Sequence, residues 1–384
     1  MAATAPQKLT SDHFSISGLI SRFRSKHRHS PAPTQDPRPP LIASPLPLVL
    51  TEHQHVLSKL GWTTVTFPQP SLQEHGPKEH ILGRHPLQSA YEELFQASQK
   101  FFDLPDSEKE QWKNAKLGSE EGWSKIPGEK EFITLRTLEG TPNVLKEAAQ
   151  KYWNAAGSYL DSSLGKISTS LGIPSDSPDT GLRKFIGPCK HFQCKDEDKT
   201  ATMLRLFRYE GWEAKVVAEP HTDLGLLSLV VGNVPGLEVW NGKRFIGVEK
   251  EYKTPCATLL GGRQLQQLSN GRVEAGGHRV VSYGKPVRLM LSSAGEAGEQ
   301  APKYRFSIVF VLRAHEPVVV NSSELETKIT GKWAVPIRDV TAGEMYDEIK
   351  SAHFNINIGV QEREAQRRKL DEKKRGNGSG DNDK

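Results

Sequence analysis

The chain has 384 residues, 36% of them hydrophobic and 25% charged, a composition that excludes a fibrous, collagen-like or wholly disordered polypeptide and allows one large domain or two modest ones. No apolar run nears the roughly 20 residues of a membrane helix, the longest, Leu226–Val231, being interrupted by Ser228, and three cysteines without a Cys-x-x-Cys pair exclude a thiolate metal cluster and a disulfide framework, as fits a reducing compartment. The net charge of +5 lies mostly in residues 1–45, where six Lys/Arg face only Asp12 and Asp36; the nearly balanced remainder excludes a strongly basic nucleic-acid face and points to a small-molecule partner.

In chain order, residues 1–45 carry the basic stretch Arg22–Arg28 and six prolines between Pro31 and Pro45, and read as a disordered arm. Phe14, Leu19, Ile20 and Phe23 could line an organelle-targeting helix; a solvated arm on a cytoplasmic protein is the default. Residues 46–200 form a helical or mixed region. Pro86 opens a pattern of Leu87, Tyr91, Leu94, Phe95, Phe101 and Phe102 that Pro105 stops, and a longer one runs from Leu145 to Leu171 with Gly172 as its C-terminal cap. The aromatics of both are expected in the core.

Beyond residue 200 short strands recur at Met203–Tyr209, Leu226–Val231, Leu237–Trp240, Arg244–Val248, Ala257–Leu260, Arg279–Ser282 and Arg305–Leu312, with Asn241-Gly242 as a hairpin signal. Residues 201–315 therefore read as a β core, barrel or jelly roll, in an α+β or mainly β chain with flanking helices. Residues 316–360 add a strand and a helix near Thr341–Ile358, and 361–384 form a charged tail that begins as a fraying helix and becomes disordered.

The sharpest local feature is His221-Thr222-Asp223. Residues two apart share a face only in extended chain, so a β context lets His221 and Asp223 grip one ion. A surface turn is the bland alternative. His278, at the start of another strand, supplies a third donor, where a satisfied buried histidine is the competing reading. Two His and one carboxylate leave half a coordination sphere open, which suits a non-heme iron(II) oxygenase, with zinc as chemical rival. In Tyr304–Leu312, Arg305 and Ser307 share one face among hydrophobes; a guanidinium fork with a hydroxyl receives a small carboxylate well, and an internal salt bridge is the alternative.

Together these residues resemble the 2-oxoglutarate- and iron(II)-dependent dioxygenases of the isopenicillin N synthase-like superfamily. The resemblance spans roughly residues 50–350 and is carried by Pro220–Leu229, Gly236–Trp240, Gln264–Arg272, His278–Val281 and Arg305-Phe306-Ser307 in that order. Upstream, Leu60-Gly61-Trp62, Phe101–Pro105, Gly122-Trp123 and Lys130-Glu131 are similar to the family's helical cap. It implies a double-stranded β-helix, or jelly roll, with an N-terminal helical cap. It also implies iron(II) on His221, Asp223 and His278, 2-oxoglutarate held through its distal carboxylate by Arg305, Ser307 and Tyr209, dioxygen as co-reactant, and a small organic substrate of specialised metabolism handled by a monomer.

Three departures stand out. Phe207 replaces an asparagine frequent two residues before the tyrosine, Arg263 follows Gly262 where an acid is usual, and the stretch from His278 to Arg305 is long. Arg288 stands at the short-gap position but has Met290 where the serine belongs, so Arg305 is assigned. Rival readings are an isopenicillin N synthase-like oxidase that does not use 2-oxoglutarate, a non-catalytic small-molecule binder with this fold, and a zinc metallohydrolase, which leaves Arg305 and Ser307 without a role.

Overall fold

A computed structural model of the chain describes residues 36–69, 84–114, 120–210, 213–284, 304–353, 357–358 and 361–368. The first 35 residues of the basic arm, the insertion at 285–303 with Arg288 and Met290, and the tail beyond 368 lie outside the described residues. Among the described residues no helix is long and apolar enough to cross a membrane.

The strands are β1 (Trp62–Thr66), β2 (Gly122–Ile126), β3 (Lys130–Leu135), β4 (Met203–Tyr209), β5 (Lys215–His221), β6 (Leu227–Gly232), β7 (Leu237–Trp240), β8 (Phe245–Ile246), β9 (Cys256–Gly261), β10 (His278–Ser282), β11 (Arg305–Leu312) and a small pair, β12 (Val319–Val320) with β13 (Val340–Thr341). A seven-stranded antiparallel sheet has the order β1-β9-β6-β11-β4-β3-β2, and a four-stranded one the order β5-β10-β7-β8. Three strands of the larger sheet thus come from the region expected to be helical or mixed. Lys130–Leu135 escapes a sequence reading because it is buried at every position, and a strand covered on both faces shows no alternation. β5 ends through Pro220 at a sheet edge, where a missing ladder donor is tolerated.

Two helices cover the outer face of the larger sheet. In α1 (Pro86–Phe102) the proline stands at the first turn, and the His85 ring accepts from the Leu87 N–H at 3.2 Å. In α2 (Asn143–Ser170) the apolar stripe runs through Leu145, Ala149, Tyr152, Ala156, Leu160, Leu164 and Ile167, and Gly172, at φ +72°, lies just beyond its end. Phe306 and Phe310 project outward from β11 to meet Phe102 at 6.2 Å and Trp153 at 5.0 Å between ring centroids. The main core lies here. Chain expected in the disordered arm joins it early, with Ile42 N–H donating to the Ser170 carbonyl at 2.9 Å.

A second apolar cluster draws Phe132, Phe207, Tyr209, Val230 and Leu260 from the larger sheet and Val217, Ala218, Leu237, Val239 and Val280 from the smaller one. The two sheets therefore face each other, and the inner face of the larger sheet looks into the space between them. α3 (Arg263–Leu268) follows β9, and α4 (Ala342–Ser351) is closed at its start by a capping box of Thr341 and Glu344. A last helical segment, 361–368, buries Arg363, which donates to Glu129 at 2.8 Å.

Neighbouring charges on β3 point opposite ways. Glu131, fully buried on the outer face, accepts from Lys109 at 2.8 Å and Trp123 at 3.0 Å and pairs with Arg208. Lys130 points inward, and burial, reinforced by Arg363 and Arg205, pushes its ammonium down to about 7. Glu131→Ala is expected to destabilise the fold by about 3–5 kcal/mol, because it strands buried cations; chemical denaturation checks this. Below the ordinary lysine range the unfolded chain binds the proton that folded Lys130 resists, so stability rises from about pH 7 toward 10, by at most about 1.4 kcal/mol per pH unit for one proton. Lys130→Met should flatten that slope in pH-resolved melts.

Candidate functional site

His221 closes β5 and His278 opens β10, and the antiparallel register sets them opposite each other with ring centroids 4.2 Å apart. Asp223 follows in extended chain, as the period-two argument requires. The His221 Nδ1 donates to the Glu219 carbonyl at 2.7 Å and the His278 Nδ1 to the Gly276 carbonyl at 3.0 Å. A carbonyl oxygen only accepts, so each proton sits on Nδ1 and each Nε2 presents a lone pair inward. The two Nε2 atoms lie 3.9 and 4.0 Å from Asp223 Oδ1.

Among the described residues this is the one set of three side chains whose donor atoms gather within 4.8 Å. Metal bonds of about 2.1 Å separate neighbouring ligands by roughly 3 Å, so the donors need close by about one to two ångströms. The electrostatics favour a cation. Burial holds the His221 imidazole well below its ordinary range, with His278 adding to the effect, so it is neutral and able to ligate. Burial alone would raise Asp223, but its neighbours His278, His221, Ser228 and Arg205 together hold its carboxyl below the ordinary range. Its buried Oδ2 has no hydrogen-bond partner among the described residues.

The turn carrying Asp223 is braced from α3. Arg263 donates through Nε to Thr222 Oγ1 at 2.9 Å, and its N–H to the Asp223 carbonyl at 2.9 Å. The unexpected arginine thus holds the residue between two of the donors. Backbone packs on backbone here, since a Cβ on Gly262 would lie 2.1 Å from the Gly225 carbonyl oxygen.

A second polar group lines the same inter-sheet space. In the β11–β4 register Arg305 stands opposite Tyr209 and Ser307 opposite Phe207. The Arg305 side chain is buried; its Nε donates to the Val234 carbonyl at 3.1 Å and its Nη2 to Glu249 Oε2 at 3.1 Å. Glu249 also accepts the Gly236 and Leu237 N–H groups, each at 2.7 Å. The internal salt bridge weighed from sequence is therefore real, yet it does not exhaust the fork. Arg305 Nη1 and Ser307 Oγ are both buried, with only the Tyr209 hydroxyl near them among the described residues. Burial works against the Arg305 charge and Glu249 outweighs it; burial raises the Tyr209 hydroxyl despite Arg305 beside it. Gly236 makes room, since a Cβ there would lie 2.3 Å from Arg305 Nε.

The six expected residues thus form two clusters, His221, Asp223 and His278 in one and Arg305, Ser307 and Tyr209 in the other. Phe207, where an asparagine was expected, stacks between Tyr209 at 5.5 Å and Phe132 at 5.4 Å. Sequence reasoning missed Glu249, which sits in a short helical turn with no pattern to mark it. It also missed Arg205, although its two-residue spacing from Phe207 and four from Tyr209 places it on the same face.

No protein-family model matches the chain, and no curated protein matches it in sequence. Solved structures do. A full-length Neurospora crassa protein in complex with alpha-KG and 5-formyluracil aligns with a TM-score of 0.53 at 18% identity, over 77% of this chain and 87% of that one. JOX2 in complex with 2OG, Fe and JA aligns with a TM-score of 0.53 at 16% identity, over 85% of this chain and 90% of that one. With two facing antiparallel sheets, outer helices and a His-Asp-His group between, the chain shares the fold of these two structures.

Proposed function

We propose that this protein is an iron(II)- and 2-oxoglutarate-dependent dioxygenase that hydroxylates or desaturates a small organic substrate inside a closed jelly roll. The observation that carries this reading is the buried group of Arg305 Nη1 and Ser307 Oγ, which have only the Tyr209 hydroxyl near them among the described residues and border the same space as the three convergent ligand atoms. Buried donors without partners are costly, and a carboxylate accepting from both would satisfy them. A hydrolytic zinc site leaves that pair unexplained.

In this reading His221 Nε2, Asp223 and His278 Nε2 hold the metal on one side and leave the opposite side open. Iron(II) there supplies the activation of dioxygen, coupled to oxidative decarboxylation of 2-oxoglutarate to succinate and carbon dioxide. The carbonyls of Glu219 and Gly276 keep both rings in the ligating tautomer. Glu249 aims the Arg305 fork at the cosubstrate, Ser307 and Tyr209 complete its seat, and the apolar cluster from both sheets excludes water. An oxidase without 2-oxoglutarate would use the Arg305 seat for its own substrate; succinate released in proportion to dioxygen consumed excludes that alternative.

His221→Ala and Asp223→Ala are each expected to lower iron(II) content, measured on anaerobically loaded protein, to background while the melting transition persists, because the main core lies on the other face of the larger sheet. Ser307→Ala separates a cosubstrate role from a folding role. Among the described residues its hydroxyl has only the Tyr209 hydroxyl beside it, so thermal stability should fall by no more than about 1 kcal/mol, whereas the Kd for 2-oxoglutarate should rise about tenfold, equivalent to about 1.4 kcal/mol. Unchanged 2-oxoglutarate binding in a folded Ser307→Ala protein would remove that seat. Arg305→Leu should weaken 2-oxoglutarate binding further and also lower stability, since it strands Glu249.

A further inference from the structure

The three metal-capable donors come from two separate stretches of chain, His221 and Asp223 from the end of β5 and the turn after it, His278 from the start of β10. Residues 261–266, which run from the end of β9 into α3, touch both stretches. The Gly261 carbonyl accepts the Gly276 N–H at 2.9 Å, and the Gly276 carbonyl in turn receives the His278 Nδ1 proton. Two residues on, the Arg263 N–H donates to the Asp223 carbonyl, and the Gln264 N–H donates to the Leu224 carbonyl at 3.1 Å. Any residue type would make these backbone bonds. α3 is itself mounted on the core, because the buried Gln264 side chain donates to the Ala342 carbonyl and accepts the Ala314 N–H, each at 3.1 Å.

The Arg263 side chain adds what the backbone cannot. Its Nε donates to Thr222 Oγ1 at 2.9 Å and its Nη1 to Gln266 Oε1 at 2.8 Å, and Gln266 Nε2 donates to Glu274 Oε2 at 2.7 Å. Thr222 is buried between His221 and Asp223 in sequence, and Glu274 lies four residues before His278. A continuous polar link therefore runs from the residue between two donors to the chain that leads into the third. Its two ends differ in weight. The Gln266–Glu274 bond is exposed, where water competes for both partners, whereas the Arg263–Thr222 bond is partly buried and charge-assisted, the stronger kind. A planar guanidinium serves both partners at once from fixed directions. A lysine ammonium is a single point donor, and an ionised acid at this position donates to neither.

We propose that Arg263 is a positioning residue for the metal-capable group: it fixes the Asp223 turn against the chain entering His278, and so sets how closely the carboxylate and the imidazole approach. This rests on the metal-binding reading above and adds a residue to it. His278 Nε2 and Asp223 Oδ1 lie 4.0 Å apart, so the group closes on an ion only as far as these two stretches can move toward each other. A link that joins them limits the geometries that closure reaches. Groups that hold metal ligands without touching the metal change its affinity by roughly 10- to 100-fold.

The test is titration of the full chain with cobalt(II), whose visible absorption reports coordination geometry, beside thermal melts of the metal-free proteins. Arg263→Met keeps the stem and removes every donor. It should raise the cobalt(II) Kd about tenfold or more and shift the absorption bands, while the metal-free melt moves little, because Gln264 and the backbone bonds still hold α3. Arg263→Lys should recover part of the affinity. Thr222→Val should weaken binding as well, and the double variant no more than the worse single one, since both changes break the same link. Unchanged cobalt(II) affinity and bands in Arg263→Met would overturn the proposal, as would effects of the two changes that simply add. A lowered melt with unchanged affinity would overturn it too, leaving Arg263 a role in stability alone. If Arg263→Met does not fold, Thr222→Val carries the test, and unchanged affinity there has the same meaning. Failure of the metal reading shows separately and earlier, as an unaltered chain that takes up neither cobalt(II) nor iron(II).

Discussion

The register of β11 against β4, with Arg305 opposite Tyr209 and Ser307 opposite Phe207, is the constraint on which the site depends. Both strands are covered on two sides, by helices outside and by the smaller sheet inside. A slip of one residue would send Phe306 and Phe310 into the inter-sheet space and Arg305 under the helices. The outer aromatic contacts of Phe102 with Phe306 and Trp153 with Phe310 therefore keep the inner polar face in place. Stability and chemistry are joined at the level of strand alternation.

Burial of charge is handled differently on the two faces. Outside, Glu131 is engaged by Lys109, Trp123 and Arg208. Inside, the polar groups are under-satisfied: Arg305 Nη1 and Ser307 Oγ have only the Tyr209 hydroxyl near them among the described residues, and Asp223 Oδ2 is buried without a hydrogen-bond partner there. Incomplete satisfaction costs folding free energy, and at Arg305 Nη1 and Asp223 Oδ2 it falls on the space between the sheets. Glu249 combines both behaviours, stabilising Arg305 while leaving one edge of the fork open.

The departures from the resembled pattern find physical places. Arg263 braces Thr222 between two metal-capable donors, so a positive charge near that site serves backbone geometry. Phe207 trades a hydrogen-bonding amide for an aromatic step next to Phe132, which makes that stretch of the inner face apolar between two cations. Lys130, pushed down to about 7, loses much of its charge near neutrality.

Local spacing was enough to read His221 and Asp223 as one face of extended chain, the helices from Pro86 and through Leu145–Leu171, and Arg305 with Ser307 on one side of a strand, because period two and period 3.6 are local properties of the chain. His278 and Tyr209 were legible only through the order of motifs along the sequence. Tertiary structure alone decided the rest. β3 joined the larger sheet although its uniform burial erases the alternation that would reveal it, Glu249 reached Arg305 from a turn fifty-six residues earlier, and the single acid Glu120 fell between Arg313 and Arg205. These pairings depend on which distant segments the sheets bring face to face, and no residue pattern along the chain records that distance in space.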